Sequence, residues 1–235
     1  MNENCDVIVK LVQQTWKDRL TGAGADAIGL THSGLNIQKI SAVRNLKLLQ
    51  QYQTTFRDLL KRHSLPKKLE TIKTEKVLRG DKNGIRLVDF SLSDDFTAPF
   101  FNVWSLRPGE TLLFHGTTRK GAKGIAASGF DLTRSQRGLY GHPSIYLAES
   151  SQKSDQYAVA RKKRSRQDAT LCLLVVRVAL GKTEMFEAQK EGESYGTIVG
   201  GTDKRFREFI VKNPEHLYPQ FLVEYTRNYT ILYPV

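Results

Sequence analysis

The chain has 235 residues, 40% of them hydrophobic, which is enough to build one substantial core and does not require a second domain. Its net charge of +12 concerns partners and solubility rather than the fold. The two cysteines, Cys5 and Cys172, lie far apart, and Cys172 belongs to an apolar run, so neither a disulfide framework nor a zinc site is indicated. There is no apolar stretch of membrane-spanning length and no signal peptide, so we expect an intracellular protein, cytoplasmic or nuclear, without a membrane partner.

Helical periodicity predicts two helices in the first part of the chain. Apolar residues at positions 8, 12 and 16 predict a helix over 6–19, and a longer apolar stripe predicts a second helix over 42–63. A short alternating strand at 35–38 lies between them. The pattern of 64–109 is weak and contains turn signals, so we interpret this segment as an insertion with one or two short strands.

The second half of the chain consists of short apolar runs separated by turns. We predict helices near 120–127 and 150–160 and strands at 111–114, 144–147, 170–179, 207–211, 221–225 and 229–233. Many short strands with few helices predict the α+β class with a mixed or antiparallel sheet. We expect residues 1–109 to pack on a core formed by residues 110–235, within a single domain.

Positive charge is concentrated in two segments. Between residues 57 and 86 there are ten Lys or Arg residues against four acidic ones, and a second cluster occupies 161–166. Such clusters can contact phosphates, serve as a nuclear localisation signal or simply be solvated. Short basic runs are common in surface loops.

Four sequence motifs carry residues suited to catalysis or to binding. An apolar strand ends in His115-Gly116-Thr117, and a later strand contains Ile145-Tyr146-Leu147-Ala148. A helix with Lys153-Ser154 and Tyr157 follows directly, and a late strand reads Glu208-Phe209-Ile210-Val211.

In this order and spacing the four motifs closely resemble the catalytic domain of poly(ADP-ribose) polymerases, which are ADP-ribosyltransferases with a His-Tyr-Glu triad. The resemblance covers residues 110–235 well and 37–52 more faintly, whereas 64–109 matches nothing in the family pattern. It implies an ADP-ribosyltransferase fold and an enzyme of the pentosyl (glycosyl) transferase class. Such an enzyme uses NAD⁺ as a substrate and needs no metal. Its acceptor would be a protein, the enzyme itself included, or a nucleic acid.

The resemblance assigns the catalytic triad to His115, Tyr146 and Glu208. Breaking the nicotinamide–ribose bond creates positive charge on the sugar, so negative charge beside the ribose lowers the barrier. Glu208 would bond the nicotinamide ribose and polarise the incoming acceptor hydroxyl. His115 would hydrogen-bond a ribose hydroxyl.

The same resemblance implies the residues that bind NAD⁺. Besides His115, they are Gly116 and Thr117 at the end of the strand, and Tyr146, Ser154 and Tyr157. The Gly116 backbone would hold the nicotinamide amide, since a glycine permits close approach. Tyr146 and Tyr157 would stack against the nicotinamide ring, and Ser154 would contact its carboxamide.

One loop departs from the family pattern. The family usually has Gly-x-Gly-Ile-Tyr before the triad tyrosine, whereas residues 141–146 are one residue longer and lack the second glycine. We therefore expect the loop over the donor site, 131–143, to differ in shape. His142 either reaches the substrate or is exposed.

Two alternatives remain at this stage. The first is a tRNA 2′-phosphotransferase, a related class that has basic residues in place of Glu208 and a second histidine in place of Tyr146. The second is an inactive module that only binds NAD⁺ or ADP-ribose, against which the intact triad argues. The two basic clusters would suit a nucleic-acid acceptor, but the same charge can simply aid solubility or attract acidic proteins and ADP-ribose polymer. Against a nucleic-acid acceptor, the clusters contain no interleaved aromatic residues.

Overall fold

A computed structural model describes nine segments of the chain, namely residues 3–16, 30–62, 106–107, 109–135, 138–141, 143–159, 170–189, 194–201 and 206–229. The basic cluster at 161–166, His142 and most of the insertion predicted at 64–109 lie outside these residues.

The described residues form one eight-stranded sheet with the order β1-β8-β4-β2-β3-β7-β6-β5. The strands are β1 (Gly34–Ala42), β2 (Glu110–Thr117), β3 (Ile145–Ala148), β4 (Leu171–Ala179), β5 (Thr183–Met185), β6 (Thr197–Gly200), β7 (Glu208–Val211) and β8 (Leu217–Asn228). Every adjacent pair is antiparallel except β5 and β6, which are parallel. The sheet is therefore mixed.

Four α-helices accompany this sheet in the described segments: α1 (Glu3–Gln14), α2 (Leu46–Arg62), α3 (Arg119–Ser128) and α4 (Ser151–Asp155). Asn45 accepts a hydrogen bond from the Leu48 amide, as an N-cap residue does, and this fixes the start of α2. Thr118 caps α3 in the same way through the amide of Gly121.

The two largest clusters of the core lie on opposite faces of the sheet, and β4 contributes to both. All nine residues of β4 are buried. Leu173 and Val175 belong to the cluster that includes α1, whereas Cys172 and Leu174 belong to the cluster that includes Ala122 of α3. Because side chains alternate along a strand, a continuous apolar run can serve two faces in this way.

The α+β class with a mixed sheet and few helices is confirmed. Several element boundaries were wrong, and two strands, β5 and β6, were missed. The predicted helix at 150–160 ends at Asp155, and the predicted strand at 35–38 extends over Gly34–Ala42. The strand predicted at 221–225 is the middle of β8, while 229–233 lies almost entirely outside the described residues.

β1 lies before residue 110 and pairs with β8, so the sheet draws on both parts of the chain. The division at residue 110 stays a prediction. In the described segments no helix is long and apolar enough to cross a membrane.

Candidate active site

The three predicted triad residues lie on three adjacent strands. His115 is on β2, Tyr146 on β3 and Glu208 on β7, and these strands are consecutive in the sheet. Ala148 of β3 pairs with Phe114 on one side and with Glu208 on the other. Since adjacent strands lie about 4.8 Å apart, this register brings all three residues to one region of the sheet.

His115 is joined directly to β3. Its Nδ1 lies 2.9 Å from the backbone oxygen of Tyr146, and the ring meets Phe130 edge-on with 5.1 Å between centroids. A carbonyl oxygen only accepts, so Nδ1 carries the proton. Burial lowers the pKa of His115, despite the opposing effect of this hydrogen bond. The imidazole is therefore neutral near pH 7, and its Nε2 can accept a hydrogen bond from a hydroxyl group.

Tyr146 holds the turn at 138–141 through its hydroxyl. The hydroxyl accepts from the Tyr140 amide at 2.9 Å and donates to the Gly141 carbonyl at 3.0 Å. A Cβ on Gly138 would lie 2.3 Å from the Tyr146 ring, so this turn can rest on the ring only if residue 138 is glycine. The sequence alone does not indicate a role for Gly138, because the contact depends on how the turn folds back.

Glu208 forms an ion pair with a residue to which the motif alone assigned no role. Lys153 Nζ lies 2.8 Å from Glu208 Oε1, and both side chains are largely buried, with 13% and 16% of their surface exposed. Lys153 also donates to the Tyr157 hydroxyl at 3.1 Å. Burial by itself lowers the pKa of Lys153, but the charge of Glu208, the neighbouring Tyr157 and the hydrogen bonds to both together more than offset this, and the net shift is upward. The ammonium therefore stays charged over the physiological range.

A second ion pair fixes the start of β7. Arg207, which immediately precedes Glu208, pairs with Glu149 through two hydrogen bonds from its guanidinium, and both residues are buried. Glu149 stands between β3 and α4, so the pair joins the glutamate-bearing strand to the segment that leads to Lys153. Planar two-point contacts of this type restrict orientation more than a single hydrogen bond does.

The packing of α4 against β2 explains the glycine at position 116. A Cβ there would lie 1.7 Å from the Ser154 carbonyl oxygen, so no other residue fits without moving α4. Ser154 Oγ is buried and donates to the Phe114 carbonyl at 3.0 Å. The Thr117 side chain packs toward α3, where its Oγ1 lies 2.5 Å from the position a Cβ on Gly121 would take. The contacts of Gly116, Thr117 and Ser154 with NAD⁺ stay predictions.

The side of α4 away from β2 is held by a buried polar network around Asp155, which is fully buried. His32 Nε2 lies 2.8 Å from Asp155 Oδ2, and the Tyr225 hydroxyl donates to Oδ1 at 2.6 Å. Arg227 donates to Oδ1 and to the backbone oxygen of Asp155, and its guanidinium lies 3.1 Å from Oδ2. Burial would raise the pKa of Asp155, but hydrogen bonding to His32 and the charge of Arg227 lower it below its ordinary value. Asp155 thus anchors the helix that carries Lys153.

The end of α1 supplies further support to the same helix. Ser151 Oγ donates to the Val12 carbonyl at 2.7 Å, and Ser150 Oγ donates to the Thr15 carbonyl at 2.8 Å. All four of these residues are buried. The first turn of α4 is therefore fixed to α1, while its last residue is fixed to β8.

The sequence matches the model of the poly(ADP-ribose) polymerase catalytic domain family over residues 25–205, more than half of the chain. The chain therefore belongs to this family. Poly(ADP-ribose) polymerase catalytic domains are NAD⁺-dependent ADP-ribosyltransferases, so membership of the family implies this general class of activity, with NAD⁺ as the substrate. The match ends just before Glu208, so the role of that residue rests on its motif and on the geometry of the site.

The described residues contain no group of three or more His, Cys, Asp or Glu side chains arranged to hold a metal ion.

Proposed function

We propose that this chain transfers ADP-ribose from NAD⁺ to a nucleophilic group of a protein or nucleic-acid acceptor and releases nicotinamide. The observation that carries the proposal is the ion pair between Glu208 and Lys153, which lies beside Tyr157 and next to the strands of Tyr146 and His115. A carboxylate held in this way would stabilise a cationic sugar bound beside it, which supports the proposal.

The residues of the site fit both groups joined by the bond that breaks, the nicotinamide ring and the ribose. Tyr157 is 44% exposed and offers a ring face to the flat nicotinamide group, close to the backbone of Gly116, which carries no side chain. His115 Nε2 is free of a proton and would accept a hydrogen bond from a ribose hydroxyl. Tyr146, whose hydroxyl is engaged by the 138–141 turn, would contribute its ring to the same slot.

Glu208 has two tasks in this proposal. The bond between the nicotinamide nitrogen and the ribose C1 breaks, and its electron pair stays with nicotinamide, which leaves as a neutral molecule. The carboxylate stabilises the positive charge that develops on the sugar. An acceptor oxygen then bonds to C1, and its proton passes to Glu208 acting as a general base.

The test is incubation with NAD⁺, with released nicotinamide measured by chromatography and transferred label measured on candidate acceptors. We expect Glu208→Gln to lower transfer about a hundredfold, since one electrostatic catalytic group contributes on the order of 3 kcal/mol. NAD⁺ binding, measured by calorimetry, should be largely retained because glutamine has nearly the same size as Glu208. Equal transfer by the wild type and the variant would contradict the assignment, and so would an unlabelled acceptor that instead loses a 2′-phosphate.

The nicotinamide slot has its own test. We expect flat carboxamides of the 3-aminobenzamide type to bind and to inhibit the wild type, and we expect Tyr157→Ala to weaken their binding. Calorimetry measures both. Undiminished binding to Tyr157→Ala would mean that the carboxamide does not lie against this ring.

A further inference from the structure

The fold assembles a positively charged surface from residues that are scattered in the sequence. Six exposed basic side chains, which we call the basic face, come from β1, from the start of α2 and from α3: Lys39, Arg44, Lys47, Arg119, Lys120 and Lys123. None of them belongs to the two basic clusters that the sequence alone indicates.

Specific contacts bring the three elements of the basic face together. In the β1–β8 ladder Lys39 pairs with Glu224, and Arg119 at the start of α3 forms an ion pair with the same Glu224 at 2.6 Å. At the other end of α3, Asn45 Nδ2 donates to the Ala127 carbonyl at 2.8 Å, which fixes the start of α2 against this helix. Thus the start of α3 is fixed to β8, which pairs with β1, and its end is fixed to the start of α2.

Among the described residues, two acidic side chains, Glu224 and Asp131, adjoin the six basic side chains of the basic face. Glu224 is largely buried and is engaged by Arg119. Asp131, which follows α3, has its own partner in Arg134 at 3.3 Å. Lys120 and Lys123 are one turn apart on α3, about 5–6 Å between Cβ atoms, so their ammonium groups can contact neighbouring phosphates.

The aromatic content of the surface indicates what kind of polyanion fits. In the described segments the exposed aromatic side chains are Tyr157, next to Glu208, and Phe186, which packs on Tyr140, and neither belongs to the basic face. Protein–protein interfaces are enriched in aromatic residues, and single-stranded nucleic acids bind on aromatic platforms. A basic surface without them suits the phosphodiester backbone of a duplex.

We propose that the basic face is a docking surface for the phosphate backbone of a nucleic-acid duplex, bound without regard to sequence. β2 leads directly from His115 through Thr118 into α3, so the docking surface begins four residues after a predicted triad residue. A bound duplex therefore lies next to the candidate active site. Docking does not require the transfer reaction and can be measured without NAD⁺.

The test is the salt dependence of binding to a fluorescently labelled DNA duplex. Binding is measured by fluorescence anisotropy in the absence of NAD⁺. Each protein–phosphate contact contributes about 0.9 to the slope of log K against log salt. We expect the double variant Lys120→Gln, Lys123→Gln to reduce the magnitude of this slope by about 1.8. Both residues are exposed on α3, so the fold should tolerate the change.

The matched control is Lys61→Gln, Arg62→Gln in the last turn of α2. It removes the same charge, but at a distance of about 21 Å along the helix from Lys47. We expect this control to leave the slope nearly unchanged. Equal losses in both double variants would show attraction by net charge alone and overturn the proposal, as would a larger loss in the control.

Two further outcomes also overturn the proposal. The first is the absence of detectable duplex binding by the wild type at low salt. The second is binding of poly-glutamate with the same affinity and the same sensitivity to Lys120→Gln, Lys123→Gln, since that would assign the basic face to acidic proteins.

Discussion

At the residue scale, Lys153 connects two predicted functions of the site. It pairs with Glu208 and donates to the Tyr157 hydroxyl, so it sets the position of the carboxylate relative to the tyrosine. A hydrogen bond to a charged group contributes about 1.5–3 kcal/mol, which corresponds to more than a tenfold change in rate if the orientation of Glu208 is lost. We interpret Lys153 as a positioning residue.

We expect Lys153→Met to lower the transfer rate at least tenfold, with a smaller effect on the KM for NAD⁺. Lys153→Arg is the matched control, since it keeps the charge and the donor and should restore part of the activity. Steady-state measurement of nicotinamide release gives both parameters. If Lys153→Met retains full kcat, Glu208 does not depend on this partner.

The sequence alone predicted the triad residues but not Lys153 as the partner of Glu208. The lysine is visible within its motif, but it lies far from Glu208 along the chain, and only the fold places the two 2.8 Å apart. The same holds for Gly116. The sequence predicts that Gly116 lacks a side chain so that its backbone can approach nicotinamide. The structure adds a second reason, since a side chain at this position would overlap the Ser154 carbonyl.

At the element scale, the close contact between β2 and α4 leads to a prediction about two glycines. Gly116→Ala should destabilise the fold by about 1–3 kcal/mol, because its Cβ would overlap the Ser154 carbonyl and push α4 outward. Gly124→Ala in α3 is the matched control. Nothing lies within 4 Å of its Cβ, so this substitution should be neutral or stabilise the helix by up to about 1 kcal/mol.

Urea unfolding measures both free energies, and binding of a carboxamide should weaken only in Gly116→Ala. Similar stabilities for the two variants would show that α4 can move away from β2 without cost.

The network that anchors α4 to β8 gives a second prediction at this scale. Asp155→Asn should lower the free energy of unfolding by about 3–5 kcal/mol, because the charge of Arg227 would then be buried without its partner. Tyr225→Phe removes a single hydrogen bond from the same carboxylate and should cost only about 1 kcal/mol. Chemical denaturation distinguishes them, and equal losses would argue against an ionic anchor.

Element boundaries were harder to predict than element types. The strand predicted at 221–225 is much shorter than β8, which extends from Leu217 to Asn228 and contains Pro219. The proline lies where the register with β4 shifts, between Val175 and Val176, and such an irregularity tolerates the missing amide proton. β5 and β6 are three and four residues long, too short to produce a periodic signal.

At the scale of the whole molecule, partly buried His115 and buried His216 should make stability depend on pH. Burial lowers the pKa of both His115 and His216 below the ordinary value of 6.5. As the pH falls below 6.5, the unfolded chain takes up protons that the folded chain does not, so the free energy of unfolding decreases.

We expect the melting temperature to fall steadily from about pH 7 to about pH 5, before the carboxylates are protonated. His216→Gln removes one of the two groups and should make this dependence shallower. Thermal unfolding at a series of pH values provides the check, and a melting temperature that is constant over this interval would contradict the linkage.

The position of β8 in the sheet has a consequence for the order in which the protein folds. β8 lies between β1 and β4, and no other strand of the described chain joins these two. The Ser33 amide, just before β1, donates a hydrogen bond to the Asn228 carbonyl across a sequence separation of 195 residues. During synthesis on the ribosome β1 therefore cannot form its hydrogen bonds in the sheet until β8 has emerged. Closure of such distant contacts is slow, so the edge of β1 stays open to other chains for most of translation.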